Sequence, residues 1–133
     1  MADESKRILI VDDEADVREF VQVALEEDGY ELAFAADGNE ALERAAAERP
    51  DLIIMDVQMP KKDGLTALYD LRNDPKLKDI PVILLTGIAE KTGVQFSVET
   101  VQEYMGERPE AYFDKPVDPA ELREAARKLL AKA

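Results

Sequence analysis

An α/β fold, with a parallel sheet doubly wound by helices on both faces, is predicted by three observations. Four short runs of continuously apolar residues recur along the chain, stretches with helical apolar spacing separate them, and the runs end abruptly in carboxylate, hydroxyl or ammonium side chains. Runs that are apolar throughout, rather than at alternate positions, belong to strands buried on both faces, as parallel strands covered by helices are. A βα alternation repeated five times closes into a (βα)5 three-layer sandwich, because each parallel crossover passes right-handed over one face of the sheet.

The elements follow in order. Ile8 to Val11 reads as the first strand, and Val17, Phe20, Val21, Ala24 and Leu25 then fall at i, i+3, i+4, i+7 and i+8, one apolar stripe of a first helix. Gly29 after Asp28 can take the left-handed conformation that ends a helix. Glu31 to Ala35 is a weaker second strand, and Ala41, Leu42 and Ala45 mark a helix from about Gly38 to Glu48. Leu52 to Met55 is the third strand; Leu65, Leu68 and Leu71 place a helix from Gly64 to Asn73; Val82 to Leu85 is the fourth strand. Tyr112-Phe113 is a brief fifth strand. The last helix is the best defined, with Asp118 as N-cap, Pro119 at N1, Glu121 at N3, and Leu122, Ala125, Ala126, Leu129 and Leu130 as its stripe. There is no linker, repeat or low-complexity segment, so residues 1–133 form one domain.

Length and composition agree. A chain of 133 residues, 46% of them hydrophobic, can bury one sizeable core and is short for two domains. Thirty acidic against 17 basic residues give a net charge of -13, which repels nucleic-acid backbones and anionic lipid, so neither is expected as a direct partner. Without cysteine there are no disulfides or thiolate metal sites, and without histidine there is neither a zinc-imidazole site nor a histidine base. Carboxylates, lysine and hydroxyls remain as reactive groups. The charged start, Met1 to Arg7, is no signal peptide, and no stretch is long and apolar enough to span a membrane, so a cytoplasmic protein is expected.

In open α/β sheets the ligand lies beyond the carboxyl ends of the strands. Those positions hold Asp12 and Asp13 after the first strand, Asp56 after the third, Thr86 after the fourth, and Asp114 and Lys115 after the fifth. Each has a plainer explanation: Asp12 to Asp16 as the acidic first turn of a helix, Asp56 and Thr86 as loop or cap residues, Lys115 as a solvated turn lysine. Together they point elsewhere. Carboxylates gathered at one sheet edge repel one another, so their co-location calls for a cation, and hard oxygen donors suit Mg²⁺.

Four blocks carry a resemblance over essentially the whole chain: Ile8-Leu9-Ile10-Val11-Asp12-Asp13-Glu14, Asp56-Val57-Gln58-Met59-Pro60-Lys61-Lys62-Asp63-Gly64, Leu85-Thr86-Gly87, and Tyr112-Phe113-Asp114-Lys115-Pro116. In that order they resemble the receiver domain of two-component response regulators. The resemblance implies the flavodoxin-like receiver fold, with sheet order 2-1-3-4-5. It also implies a phosphorelay switch in which Asp56 accepts a phosphoryl group from a histidine kinase or phosphotransfer protein, catalysing only its own phosphorylation and slow dephosphorylation. Mg²⁺, or Mn²⁺ in its place, would be held by Asp13, Asp56, the backbone carbonyl of Gln58 and water, with Asp12 binding directly or through water. Lys115 would pair with Asp56 and then with the phosphoryl group. Thr86 and Tyr112 would act as the conformational switch, although on pattern alone a strand tyrosine is more often a core residue. A cis Lys115-Pro116 bond is implied too. The output would be an altered surface of the fourth helix, fifth strand and fifth helix, read by a downstream protein or by a second copy in a phosphorylation-dependent dimer.

Between Thr86 and Lys115 the chain is several residues longer than receiver domains commonly are there. Val94, Val98, Val101 and Met105 give an apolar face that predicts an extended loop or reshaped helix affecting partner choice; a tolerated surface insertion is the alternative. Lys62, Gln58 and Ile88 flank the site at positions the family varies. Of rival functions, a Mg²⁺-dependent phosphohydrolase with an aspartate nucleophile needs a second aspartate where Gln58 stands, and Gln58 cannot act as acid or base. A flavodoxin-type cofactor carrier would need a phosphate cradle where Asp12-Asp13-Glu14 would repel phosphate. A chain that starts with Met1 and closes without a linker favours a stand-alone receiver over a truncated one.

Overall fold

The computed structural model describes residues 6–57, 62–86, 109–114 and 117–131. Five strands, β1 (Arg7–Val11), β2 (Glu31–Ala35), β3 (Leu52–Asp56), β4 (Val82–Thr86) and β5 (Ala111–Asp114), make one sheet. Every adjacent pair is parallel and the order is β2-β1-β3-β4-β5, as the resemblance implied. The described helices are α1 (Ala15–Leu25), α2 (Gly38–Glu48), α3 (Gly64–Arg72) and α4 (Pro119–Ala131). Here α4 is the fifth helix of the sequence expectation, since the fourth-helix region with Val94, Val98, Val101 and Met105 lies outside the described residues.

The two faces of the sheet divide the apolar runs between them, because successive strand side chains point to opposite sides. Leu9, Val11, Ile53, Met55, Val82 and Leu84 pack with Ala41 and Ala45 of α2 and with Ala67, Leu68 and Leu71 of α3. Ile8, Ile10, Leu52, Ile54, Ile83 and Leu85 pack with Val21, Ala24 and Leu25 of α1 and with Leu122, Ala126 and Leu130 of α4. Three layers result. The edge strands β2 and β5 are mostly half-buried, and for that reason their hydrophobic signal is weak.

Local chemistry fixes the helix ends. The Asp37 side chain accepts from the Glu40 N–H at 2.9 Å to start α2, Asp63 accepts from Thr66 N–H at 2.7 Å to start α3, and Asp118 accepts from Ala120 N–H at 2.9 Å to start α4. After α1 a 3-10 turn, Glu26–Asp28, ends on Gly29 at φ 78°, the left-handed stop expected there. One expectation needs correction: Phe20 is 41% exposed and does not join the buried stripe. At ~100° per residue it lies about 90° around the helix from the centre of Val21, Ala24 and Leu25, too far to reach the sheet. Also, α3 stops at Arg72, with Asn73 as its cap.

At the amino-terminal edge of the sheet, Arg72 reaches from the end of α3 to the start of β5. It donates to the Ile80 carbonyl at 2.9 Å and pairs with Glu110 at 2.7 Å, while Glu110 Oε1 also accepts from Val82 N–H at 2.7 Å. No described helix is long and apolar enough to cross a membrane.

Candidate functional site

Strand register assembles the site. Val11 pairs with Met55, so Asp12 follows beside Asp56; Asp56 pairs with Leu85, so Thr86 stands one residue further out on the neighbouring strand, opposite Asp114. Asp12 and Asp56 are buried, at 1% and 4% exposure, whereas Asp13 is open to solvent. One carboxylate oxygen from each of the three lies within 4.8 Å of the others.

The β1–α1 turn is held around Asp12. Its N–H donates to the Ala35 carbonyl at 3.1 Å, continuing the pairing with β2 beyond the end of β1. Its Oδ1 accepts from the Glu14 N–H at 2.9 Å, and its own carbonyl accepts from Arg18 Nη1 at 2.5 Å. Backbone and side chain are thus both pinned at the point where the strand becomes a loop.

The loop after Asp56 is fastened by close backbone approaches. Val57 N–H donates to the Leu85 carbonyl at 2.9 Å, and Gly64 N–H donates to the Val57 carbonyl at 2.8 Å. A β-carbon on Gly64 would fall well inside contact of the Asp56 carbonyl and 2.9 Å from Val57 Cα, so only glycine lets α3 begin against the end of β3. Gly38, opening α2, likewise donates to the Lys62 carbonyl at 3.0 Å, and a β-carbon there would stand 2.5 Å from that oxygen. The Lys62 ammonium pairs with Asp70 of α3.

Three carboxylates at this separation fit a small hard cation. Mg²⁺ with bonds of about 2.1 Å places octahedral ligands ~3.0 Å apart as neighbours and ~4.2 Å apart across the ion. The three carboxylate oxygens, all within 4.8 Å of one another, lie at separations of that order. Anionic oxygen donors, without imidazole or thiolate, are the set Mg²⁺ and Mn²⁺ prefer.

The structure therefore brings together Asp12, Asp13, Asp56 and Thr86, four of the residues expected at the strand ends. Thr86 is fully buried. Tyr112 pairs with Leu84 on β5, packs half-buried against the α2–α3 side of the core, and extends its hydroxyl towards Asp114 Oδ1 at 3.4 Å. Leu84 and Thr86 alternate to the same face, so Tyr112 and Thr86 share that face of the sheet. Lys115, the Lys115-Pro116 bond, the Gln58 carbonyl and Ile88 lie outside the described residues. Sequence reasoning missed Arg18, a helix arginine that would ordinarily be read as solvated; its position six residues after Asp12, whose carbonyl it reaches, is the signal that could have found it.

Comparison with known proteins agrees with this fold. A family model described as "Response regulator receiver domain" matches residues 8–127. The "Response regulator Rre1" of Synechocystis sp. is 38% identical over 94% of the chain and 52% of its own length. The "Alkaline phosphatase synthesis transcriptional regulatory protein PhoP" of Bacillus subtilis is 34% identical over 95% of the chain and 49% of its own length. Among solved structures, a response regulator receiver domain protein (CheY-like) from Methanospirillum hungatei superposes with a TM-score of 0.79 at 29% identity, covering 97% of this chain and 96% of that one. The chain spans about half the length of the curated relatives it matches.

Proposed function

The chain belongs to the response regulator receiver domain family, and on that premise we propose that it is a phosphorelay switch with Asp56 as the phosphoryl acceptor. The observation that carries the proposal is the convergence of the Asp12, Asp13 and Asp56 carboxylates within 4.8 Å at the carboxyl end of the sheet. A carboxylate oxygen of Asp56 attacks the phosphorus of a phosphohistidine on a separate kinase or phosphotransfer protein. The P–O bond to Asp56 forms as the P–N bond breaks and the imidazole leaves.

Asp13 and Asp56 would hold Mg²⁺ directly, with the Gln58 carbonyl and water, and Asp12 directly or through water. When bound, the ion neutralises charge on acceptor and phosphoryl oxygens, so that one anion can be attacked by another. Burial of Asp56 shields the acceptor from bulk water, and the close approach of Gly64 to the Asp56 and Val57 main chain seats the start of α3 against it. Lys115, by family resemblance, pairs first with Asp56 and afterwards with a phosphoryl oxygen. Thr86 donates its hydroxyl to another phosphoryl oxygen, drawing the end of β4 inward and letting Tyr112 move. The output is a population shift between two conformations, limited by how differently the phosphoryl group contacts each.

On this account the receiver domain is cytoplasmic, turns over no external phosphate ester, and itself acts through protein contacts rather than through nucleic acid or membrane. The test is phosphoryl uptake from a small phosphodonor with Mg²⁺. One phosphoryl group should appear, on the peptide that contains Asp56, and p-nitrophenyl phosphate should not be hydrolysed. Steady hydrolysis of that ester would favour a phosphohydrolase instead.

A further inference from the structure

We infer that Arg18 is a positioning residue for the cation site, acting through the main chain of Asp12 rather than as a counter-charge. The inference rests on the Mg²⁺-assisted acceptor function proposed above. Its basis is geometric. Asp12 and Asp13 occupy a turn where β1 has ended and α1 has not yet begun, and such a turn has few backbone partners of its own. Two bonds hold Asp12 from the neighbouring strand and from its own turn, its N–H donating to the Ala35 carbonyl of β2 and its Oδ1 accepting from the Glu14 N–H. The third comes from a side chain: Arg18 Nη1 donates to the Asp12 carbonyl at 2.5 Å.

That carbonyl belongs to the peptide unit joining Asp12 to Asp13. A rotation of that unit swings the Cα of Asp13, and with it the one carboxylate of the three that is exposed and not fixed by burial. Arg18 is itself anchored, since its N–H donates to the Glu14 carbonyl at 3.1 Å in the first turn of α1. The guanidinium is rigid and its donors point in fixed directions, so it ties the first turn of the helix to the peptide that aims Asp13. An outer-sphere group of this kind orients the residues that touch the metal without touching it, and its loss typically costs ~10–100-fold in metal affinity.

The two ways Arg18 could matter have opposite signs. A cationic side chain acting only through its charge weakens binding of another cation, so its removal would tighten Mg²⁺ binding. A positioning residue does the reverse. The experiment is calorimetric titration of the full chain with MgCl₂ for wild type, Arg18→Ala, Arg18→Met and Arg18→Lys, alongside urea denaturation without metal. Arg18→Met keeps the apolar stem of the side chain and removes the donors, so it serves if Arg18→Ala does not fold. The expected result is a loss of ~10–100-fold in Mg²⁺ affinity for Arg18→Ala and Arg18→Met, with Arg18→Lys recovering part of it. Unchanged or tighter Mg²⁺ binding in Arg18→Met, with wild type binding normally, would overturn the inference and leave the acceptor function standing. Absence of Mg²⁺ binding by wild type would remove both.

Discussion

Gly64 begins α3 directly against the main-chain carbonyl of Asp56, with its own N–H donated to the Val57 carbonyl at 2.8 Å. The acceptor strand and the helix that follows its loop are therefore in backbone contact, and a methyl group on Gly64 can be accommodated only by moving one of them. Gly64→Ala should lower stability by about 1–3 kcal/mol, the usual cost of overpacking. It should also slow phosphorylation of Asp56. Urea denaturation and the rate of phosphoryl uptake check the two effects.

The three clustered carboxylates predict a trade between stability and metal binding. Asp13→Asn removes one of three mutually repelling charges that lie within 4.8 Å. The metal-free protein should then melt higher than wild type, while the stabilisation that wild type gains from added MgCl₂ should shrink or vanish. Thermal melts with and without MgCl₂, at constant ionic strength, measure both arms. A variant that melts lower without metal and responds normally to it would contradict the assignment.

Thr86 is fully buried beside the acceptor strand. Thr86→Val keeps the shape and removes the hydroxyl. Phosphoryl uptake should remain within about tenfold of wild type, because one hydrogen bond is worth ~1 kcal/mol. The change in the Tyr112 ring resonances on phosphorylation should be lost. Ring signals of Tyr112 that respond as in wild type would separate Thr86 from the switch.

The Arg72–Glu110 pair ties β5 to the rest of the sheet at the end remote from Asp56. The Arg72 side chain is 10% exposed, and Glu110 at 39% is partly screened by solvent, so the pair is worth less than a fully buried one. Arg72→Ala leaves the Ile80 carbonyl and Glu110 without that donor and should cost about 1–3 kcal/mol in urea denaturation. Glu110→Gln keeps an acceptor for the Val82 N–H and should cost less. Faster amide exchange in β5 than in β1 should accompany the loss.

The sequence made the central strands and the position of Asp56 legible for one reason: burial on both faces leaves an unbroken apolar run, as in Leu52 to Met55, and the first polar residue after it marks the sheet edge. Asp12, Asp13, Asp56 and Thr86 were found that way, and Asp118 and Gly29 by the local chemistry of caps. Phe20 misled because helical spacing alone does not say where the centre of a stripe lies. Arg18, Arg72 and Glu110 were invisible because their partners are main-chain atoms or residues brought near by the fold, and periodicity carries no trace of either. The sheet order came from family resemblance, as the apolar runs alone do not rank the strands.

The most direct test of the account is intact mass after incubation with acetyl phosphate and MgCl₂, for wild type and Asp56→Asn. Wild type is predicted to gain the mass of one phosphoryl group, and Asp56→Asn, which keeps the shape of the buried site without a nucleophilic carboxylate, to gain none. No gain by wild type, even with a competent phosphorylated kinase as donor, or an equal gain by Asp56→Asn, would contradict it.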